Sequence, residues 1–503
     1  MTEILTLDNI KAMRERLEFS TQAIIDGKSV SSDSEETFDT LNPATGEVLA
    51  KIASCQEADV NRAVEAARNA FKSGVWSGMA PSERKAIMHR FAALIEENCL
   101  ELALLESLEA GKPIGECFNV DIPDTANTIR WHGEAIDKLY DAVAPTGKDV
   151  MATVTREPIG VVAAVLPWNF PAMMAGWKLG PALATGNSII LKPAAQTSMS
   201  TIRIAELALD AGIPPGVLNV VTGHGRTAGK ALGLHHDIDL ITFTGSTQTG
   251  RLFLEYSAAS NLKGVVLECG GKNPQIVMPD IDDLPEVAAQ VLASAFWNMG
   301  ENCSAGSRLL VHREIKQALL DEMIKQLSSN WHTGDPLDPE VQLGALVEEA
   351  HMEKVLSFID RAREDGLNFI TGGERLYKDS GGFFVSPTII DDVPPDHALA
   401  CDEIFGPVLS VTSFDTEEQA IEIANNSPYG LAASLWCNDL NTVHRMSAAI
   451  KAGTVSVNCF SEGDITTPFG GFKQSGFGGR DKSIYAHDQY CELKTTWIQL
   501  KGI

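Results

Sequence analysis

Residues 160–193 read GVVAAVLPWNFPAMMAGWKLGPALATGNSIILKP. Two short runs rich in Val and Ile, each closed by a proline, flank a longer stretch of helical character. A short β-branched run bounded by turn residues reads as a strand buried on both faces. More such runs follow, VLNVVTG (217–223), IDLITFTGS (238–246) and GVVLECGG (264–271), again with helix-like segments between them. Strand and helix in alternation predict a parallel sheet of the doubly wound α/β type.

Working outward, the texture changes on both sides. From Asp59 to Leu108 apolar residues recur at helical spacing, broken by a loop at Trp76–Pro81, which predicts a helical layer. Beyond the first series, NPQIVM (273–278), RLLVHR (308–313), PTIIDDV (387–393), PVLSVTSF (407–414) and GTVSVN (453–458) surround a helical segment at 287–295. A second α/β unit is expected, with a hinge near Gly270 and Gly271. The length agrees, because 503 residues exceed what one hydrophobic core holds. KDVMATVTRE (148–157) and ELKTTWIQL (492–500) alternate like exposed strands. A lone two-stranded ribbon is only marginally stable, so these are expected to pair with another subunit.

Against 40 Lys and Arg stand 67 Asp and Glu, a net charge of −27 that argues against nucleic acid or an anionic membrane as partner. The N-terminus, MTEILTLDNIK, has acids where a signal peptide has its basic region, and no apolar run reaches the length of a membrane span. A cytoplasmic protein is predicted. Nine cysteines without a CxxC and eleven histidines without an HExxH predict neither disulfides nor a metal.

Five stretches carry candidate chemistry. FTGSTQTG (243–250) places glycines and hydroxyls between a strand and a helix, as a phosphate site would or as an ordinary βα loop would. Lys192, at the end of SIILKP, reads either as a cation for a ribose or phosphate or as a surface lysine. In VLECGGK (266–272) Glu268 ends an apolar strand, where it is either a solvated carboxylate or a base with raised proton affinity. FWNMGENCSAGSR (296–308) sets Cys303 beside an expected helix start, which favours a thiolate, although a buried inert thiol is the default for any single cysteine. Asn169, in LPWNFPAMM, is an amide able to serve an oxyanion or a member of an aromatic and Met core.

Taken together, PWNFP, FTGST, LECGGK, GENCSAGSR, EIFGPV and PFGGFKQSG resemble, in order and spacing, the aldehyde dehydrogenase superfamily across nearly the whole chain. The resemblance implies an α/β aldehyde dehydrogenase fold with a Rossmann-type cofactor domain, an α/β catalytic domain and a β-arm for oligomerisation. It divides the chain into a helical N-terminal part of the cofactor domain (1–147), an oligomerisation arm (148–158) and an NAD(P)-binding domain (159–270). A catalytic domain whose last part returns to the cofactor domain (271–484) and a C-terminal oligomerisation strand (485–503) complete it. A homotetramer or homodimer is implied.

By the same resemblance Cys303 is the nucleophile, Glu268 the general base and Asn169 the partner of the Cys303 N–H in an oxyanion hole. Leu166, Trp168, Lys192, Ala195, Gly225, Gly229, Phe243, Gly245, Ser246, Gly250, Glu403 and Phe405 are implied to contact NAD, or NADP. The base favours release of a carboxylic acid over transfer of an acyl group to coenzyme A. Cys269 stands where the family commonly has Leu. Ala195 stands where many NAD-preferring relatives carry a Glu that holds the adenosine ribose, so NADP should be tolerated.

For the substrate, the resemblance points to Phe170, Met173, Met174, Trp177, Trp297 and Phe469 as a tunnel. Trp177 with Trp297 resembles the aromatic box of amino-aldehyde and betaine-aldehyde dehydrogenases, where rings face a cation. Asp121 and Asp124, three apart and on one face if helical, resemble paired carboxylates at the mouth of such tunnels, and Glu462 and Asp464 add acid in SEGDITT. DIPDTANTIRWHGEAIDK and EGDITTPFGGFKQSGFGGRDKS are most similar to bacterial γ-glutamyl-γ-aminobutyraldehyde, 4-guanidinobutyraldehyde and aminobutyraldehyde dehydrogenases. An ω-amino or ω-guanidino aldehyde from polyamine or arginine breakdown is therefore the expected substrate. The alternatives are a broad-specificity aliphatic or betaine aldehyde dehydrogenase, or a non-enzymatic crystallin-like protein that would have no need of Cys303, Glu268 and Asn169.

Overall fold

The computed structural model describes residues 5–501, so the outermost residues of the 1–147 and 485–503 segments lie outside it. The first series of apolar runs forms an eight-stranded sheet, in the order 28–30, 23–25, 218–220, 188–192, 161–165, 240–245, 264–269, 476–477. From 218–220 to 264–269 every neighbouring pair is parallel. These strands are buried on both faces because helices cover them, as all-parallel sheets require. One cover is the helix Pro171–Ala184, all of whose residues are buried. The helix Glu57–Ser73 covers the other face, and helices Pro81–Glu97 and Cys99–Ala110 pack outside the first cover, with Trp76 of the intervening loop wholly buried.

The second series forms a seven-stranded sheet in the order 368–371, 388–391, 408–414, 308–312, 274–277, 432–436, 454–457, parallel except at the 368–371 edge. The chain crosses between the two sheets at residues 270–273, so Gly270 and Gly271 lie in the crossing. Strand 476–477 returns to pair antiparallel with 264–269.

One expectation is corrected. SAGSRLL leads into the strand Arg308–His312 and not into a helix, so no helix N-terminus follows Cys303. The exposed strands pair with each other inside one chain, Val150–Pro158 with Cys491–Gln499, and the unforeseen strand Ala142–Ala144 makes a three-stranded sheet. Within 485–503 the strand begins only at Cys491, after a helical turn at Tyr485–Asp488. Among the described residues no helix is long and apolar enough to cross a membrane.

Candidate active site

In the eight-stranded sheet the strand order reverses between 161–165 and 240–245, and such switch points leave a crevice at the carboxyl ends of the strands. Leu166 and Trp168 from one strand end, with Phe243, Gly245 and Ser246 from the other, line a cavity of about 350 Å³ that extends to Cys303. Gly245 takes φ +158°, and a Cβ there would lie 2.6 Å from the Phe243 ring, so only glycine makes this turn. Ser246 then caps the helix Thr247–Ala258, accepting from the Thr249 N–H at 3.2 Å. A helix N-terminus opening on a crevice at a switch point suits the pyrophosphate of a dinucleotide.

Lys192, Ala195, Gly225 and Gly229 lie outside the cavity lining. Lys192 is buried with the Pro193 carbonyl as its acceptor at 2.8 Å, and burial lowers its pKa to about 8. Its remaining N–H groups suit a ligand hydroxyl. A Cβ on Gly225 would meet nothing within 4 Å, which leaves room for a ligand, and Gly229 packs on the Lys192 stem. Gly250 also lies outside the cavity lining; a Cβ there would stand 3.2 Å from Cys269 Sγ and from Leu267, so its smallness lets the helix lie on strand 264–269.

The far wall carries residues that left no motif. His351, on the helix Glu349–Glu364, meets the Phe405 carbonyl at 2.6 Å and stacks edge-on to Trp168 at 5.2 Å. It thereby holds Phe405 at φ +63°, a backbone state costly for an aromatic residue. Burial lowers the His351 pKa to about 4, so the ring is neutral. Lys354 of the same helix also lines the cavity. Glu403 accepts the Gly271 N–H at 2.9 Å, and a Cβ on Gly270 would strike its carboxylate at 2.1 Å.

The reacting groups meet where the two sheets join. Asn298 and Met299 take left-handed conformations at φ 52° and 56°, and with Gly300 they turn the chain out of the helix Leu284–Phe296 so that Cys303 faces the cavity. Asn273 fixes this loop, donating to the carbonyls of Cys303 (2.8 Å) and Ala305 (3.0 Å). The Asn169 amide donates to the Glu301 carbonyl at 2.8 Å, which leaves its second hydrogen for an oxyanion. The carbonyl of Asn169 is held in turn by Lys112 and Asn298, each at 3.3 Å.

Neither Glu268 carboxylate oxygen has a hydrogen bond of normal geometry among the described residues. Burial, then the charge of Asp481, pushes its pKa well up, against Lys178, Arg480 and the Gly471 backbone. Gly470, at φ +151°, must be glycine because a Cβ would stand 2.5 Å from Glu268 Oε1. Lys178 and Asp481 form a fully buried pair at 2.5 Å. A lysine inside the apolar MMAGWKLG was a legible sign that a buried acid waits for it. The Cys303 thiol is pushed well above its ordinary value, first by burial and then by the charges of Glu462, Glu403 and Glu268. The resting group is therefore S–H. A thiol, a free carboxylate and an amide donor in one cavity can add a nucleophile to a carbonyl and then hydrolyse the product.

On the substrate side Phe170, Met173, Met174, Trp177, Glu462 and Phe469 line the cavity, while Asp121, Asp124, Trp297 and Asp464 do not. Asp121 ends a π-helical turn, Cys117–Asp121, whose extra residue per turn rotates it inward to pair with Lys112. Asp124 accepts from the Trp177 indole at 2.9 Å, behind the ring. Trp297 donates to Glu116 at 2.6 Å and packs behind Phe170, so it makes no box with Trp177. Asp464 is exposed and bonds within its own loop to Thr466.

The Lys112 pair is expected to be structural as well. Lys112→Met leaves the buried Asp121 carboxylate without its cation, beside a Glu106 whose pKa burial and Asp121 raise to about 8. Breaking such a pair costs about 3–5 kcal/mol. Burial already raises the Asp121 pKa, so the orphaned group takes up a proton as pH falls. The thermal midpoint of Lys112→Met should therefore fall markedly at pH 8 and less at pH 6; equal losses at both would place the cost elsewhere.

Comparison with known proteins agrees with this geometry. The model of the Aldehyde dehydrogenase family matches residues 29–496. The chain is 56% identical over 498 residues to aminoacetaldehyde dehydrogenase of Pseudomonas aeruginosa, covering 99% of each chain. A crystal structure of an indole-3-acetaldehyde dehydrogenase with NAD+ superposes with a TM-score of 0.97 at 52% identity, covering 99% of this chain and 100% of that one. A γ-glutamyl-γ-aminobutyraldehyde dehydrogenase from Burkholderia cenocepacia gives a TM-score of 0.96 at 51% identity, with the same coverage.

Proposed function

The chain belongs to the aldehyde dehydrogenase family, and on that premise we propose that it oxidises an ω-amino or ω-guanidino aldehyde to the carboxylic acid with NAD, tolerating NADP. The observation that carries the reading is the shared cavity: Cys303, Glu268 and Asn169 on one side, the Gly245–Ser246 turn on the other. Glu268 takes the thiol proton as Cys303 Sγ bonds to the aldehyde carbon. The carbonyl oxygen becomes an oxyanion held by the Asn169 amide and the Cys303 N–H. A bound dinucleotide would supply the acceptor for the hydride that leaves that carbon. The C=O bond re-forms, which leaves a thioester on Cys303. Glu268 passes that first proton to solvent and then takes one from water as the resulting hydroxide adds to the thioester carbon. The C–S bond breaks to release the acid, and the proton on Glu268 returns to the leaving sulfur to restore the thiol.

The turn at Gly245, the helix end at Ser246, the space at Gly225 and the N–H groups of Lys192 fit a dinucleotide. Ala195 presents no carboxylate to repel a 2′-phosphate. The apolar faces of Val143, Leu493 and Trp497, each more than 60% exposed on the three-stranded sheet, suit docking on a second copy in a homodimer or homotetramer. Nine free cysteines suit a reducing cytoplasm.

For the substrate, two of the relatives above are named for amino aldehydes or their conjugates. A second reading, an uncharged aldehyde, is favoured by the apolar wall of Phe170, Met173, Met174 and Phe469 and by the indole-3-acetaldehyde relative. Measuring kcat/KM for 4-aminobutyraldehyde, 4-guanidinobutyraldehyde and pentanal decides between them. The cationic aldehydes are expected to lead by at least about tenfold, and a preference for pentanal sinks the proposal.

A further inference from the structure

The carboxylates lining the cavity are Glu268, Glu403, Glu462 and Asp481. Glu268 must remain free to act as base, Glu403 is bonded to Gly271 on the cofactor side, and Asp481 already holds Lys178. The aromatic faces are also taken. Lys482 Nζ stands 4.9 Å from the Trp177 ring centre and 5.8 Å from that of Phe469, so the chain's own ammonium occupies them. Lys482 and Ser483 adopt left-handed φ of 61° and 56°, the turn from which this buried lysine reaches the rings.

Lys482 also donates to the carbonyls of Glu462 (3.2 Å) and Gly463 (3.0 Å), fixing that loop from behind. On the cavity side Glu462 Oε1 accepts from Asn302 Nδ2 at 3.0 Å and from the Ser304 hydroxyl, the two neighbours of Cys303. The Ser304 N–H donates to Asn302 Oδ1 at 3.0 Å and closes the ring. Glu462 Oε2 accepts no hydrogen bond among the described residues.

We infer that Glu462 is the receptor for the ω-cation of the substrate and that, through Asn302 and Ser304, it couples the arrival of that cation to the nucleophile. This rests on the cationic-aldehyde reading and adds the residue and the coupling to it. A guanidinium or ammonium on Oε2 neutralises the carboxylate that lies against the Cys303 loop. Among the charges that hold the thiol protonated, that of Glu462 is foremost. A cationic substrate therefore eases ionisation of the thiol that attacks it, and an uncharged one does not.

The test uses Glu462→Gln, which keeps an acceptor oxygen for Asn302 and Ser304, and Glu462→Asp, which keeps the charge. Each is assayed with 4-guanidinobutyraldehyde, whose cation does not titrate in the working range, and with pentanal. The parent should favour the guanidino aldehyde in kcat/KM, Glu462→Gln should lose at least about tenfold of that ratio, and Glu462→Asp should keep most of it. The rate of the first turnover followed against pH should rise at lower pH with the guanidino aldehyde than with pentanal in the parent. The two profiles should coincide in Glu462→Gln. A parent without cation preference overturns the substrate reading itself. A parent with the preference, retained in Glu462→Gln, overturns the receptor while leaving that reading in place, and coincident parent profiles overturn the coupling.

Discussion

Replacing Cys303 by alanine is expected to lower aldehyde oxidation by at least about 10⁴-fold, with no burst of NAD(P)H, while coenzyme binding persists. The loss is that large because no other lining residue presents a thiol able to form the thioester. Cys269, the other cysteine in the cavity wall, has its thiol pushed to about 12 by burial and by Glu268. Removing a covalent nucleophile forfeits the whole path through the thioester, not one contribution to it. The dinucleotide site should survive, because the turn at Gly245, the cap at Ser246 and the stack of Trp168 on His351 and Phe405 do not involve the Cys303 side chain. Quenching of indole fluorescence by NAD, Trp168 being in the same cavity, checks that the variant is folded and binds. Residual oxidation at a tenth of the parent rate would remove Cys303 from the mechanism.

What could be read in advance divides along physical lines. The parallel strands were legible because a buried strand must be apolar and bounded by turns, and GVVAAVLPW or IDLITFTGS satisfies that without reference to neighbours. Glu268, Cys303 and Asn169 were ambiguous singly, since each has a bland local explanation, and became specific only as an ordered set. Asp121 was misplaced because spacing alone does not show which side of a helix meets the cavity: Asp121 is turned to the buried Lys112, and Asp124 to the Trp177 indole. Trp297 was misplaced for a related reason. Two of the three consecutive left-handed residues after it, Asn298 and Met299, are not glycine, so Gly300 alone does not announce where the turn begins. His351 and Lys354 lay hidden on an ordinary amphipathic helix, and only the tertiary fold turns them to the cavity. Glu462 was visible as an acid, but its bonds to the neighbours of Cys303 span about 160 residues of chain, which no local pattern encodes.

Glu268→Gln separates the two halves of the reaction. This variant is expected to form about one equivalent of NAD(P)H per active site, more slowly than the parent, and then to fall by about 10²–10⁴-fold in steady turnover. Solvent can take the thiol proton in the first half, because thiolate is itself a strong nucleophile once formed. In the second half water is the nucleophile, and without a carboxylate to take its proton it attacks the thioester poorly. The amide of glutamine fits beside Gly470 as the carboxylate did, so the cavity keeps its shape. The pH dependence follows with a definite sign. Burial raises the Glu268 pKa, so in the parent the ionised base is lost as pH falls through that raised value, and turnover declines on the acid side. Glutamine does not titrate, and the residual turnover of the variant should instead climb with hydroxide concentration. Intact mass measured after the burst should show the protein heavier by the acyl group, and hydroxylamine should remove it. Steady turnover at the parent rate, or an unmodified mass after the burst, assigns the base elsewhere; Asp481, buried against Lys178 in the same wall, is then the carboxylate to test.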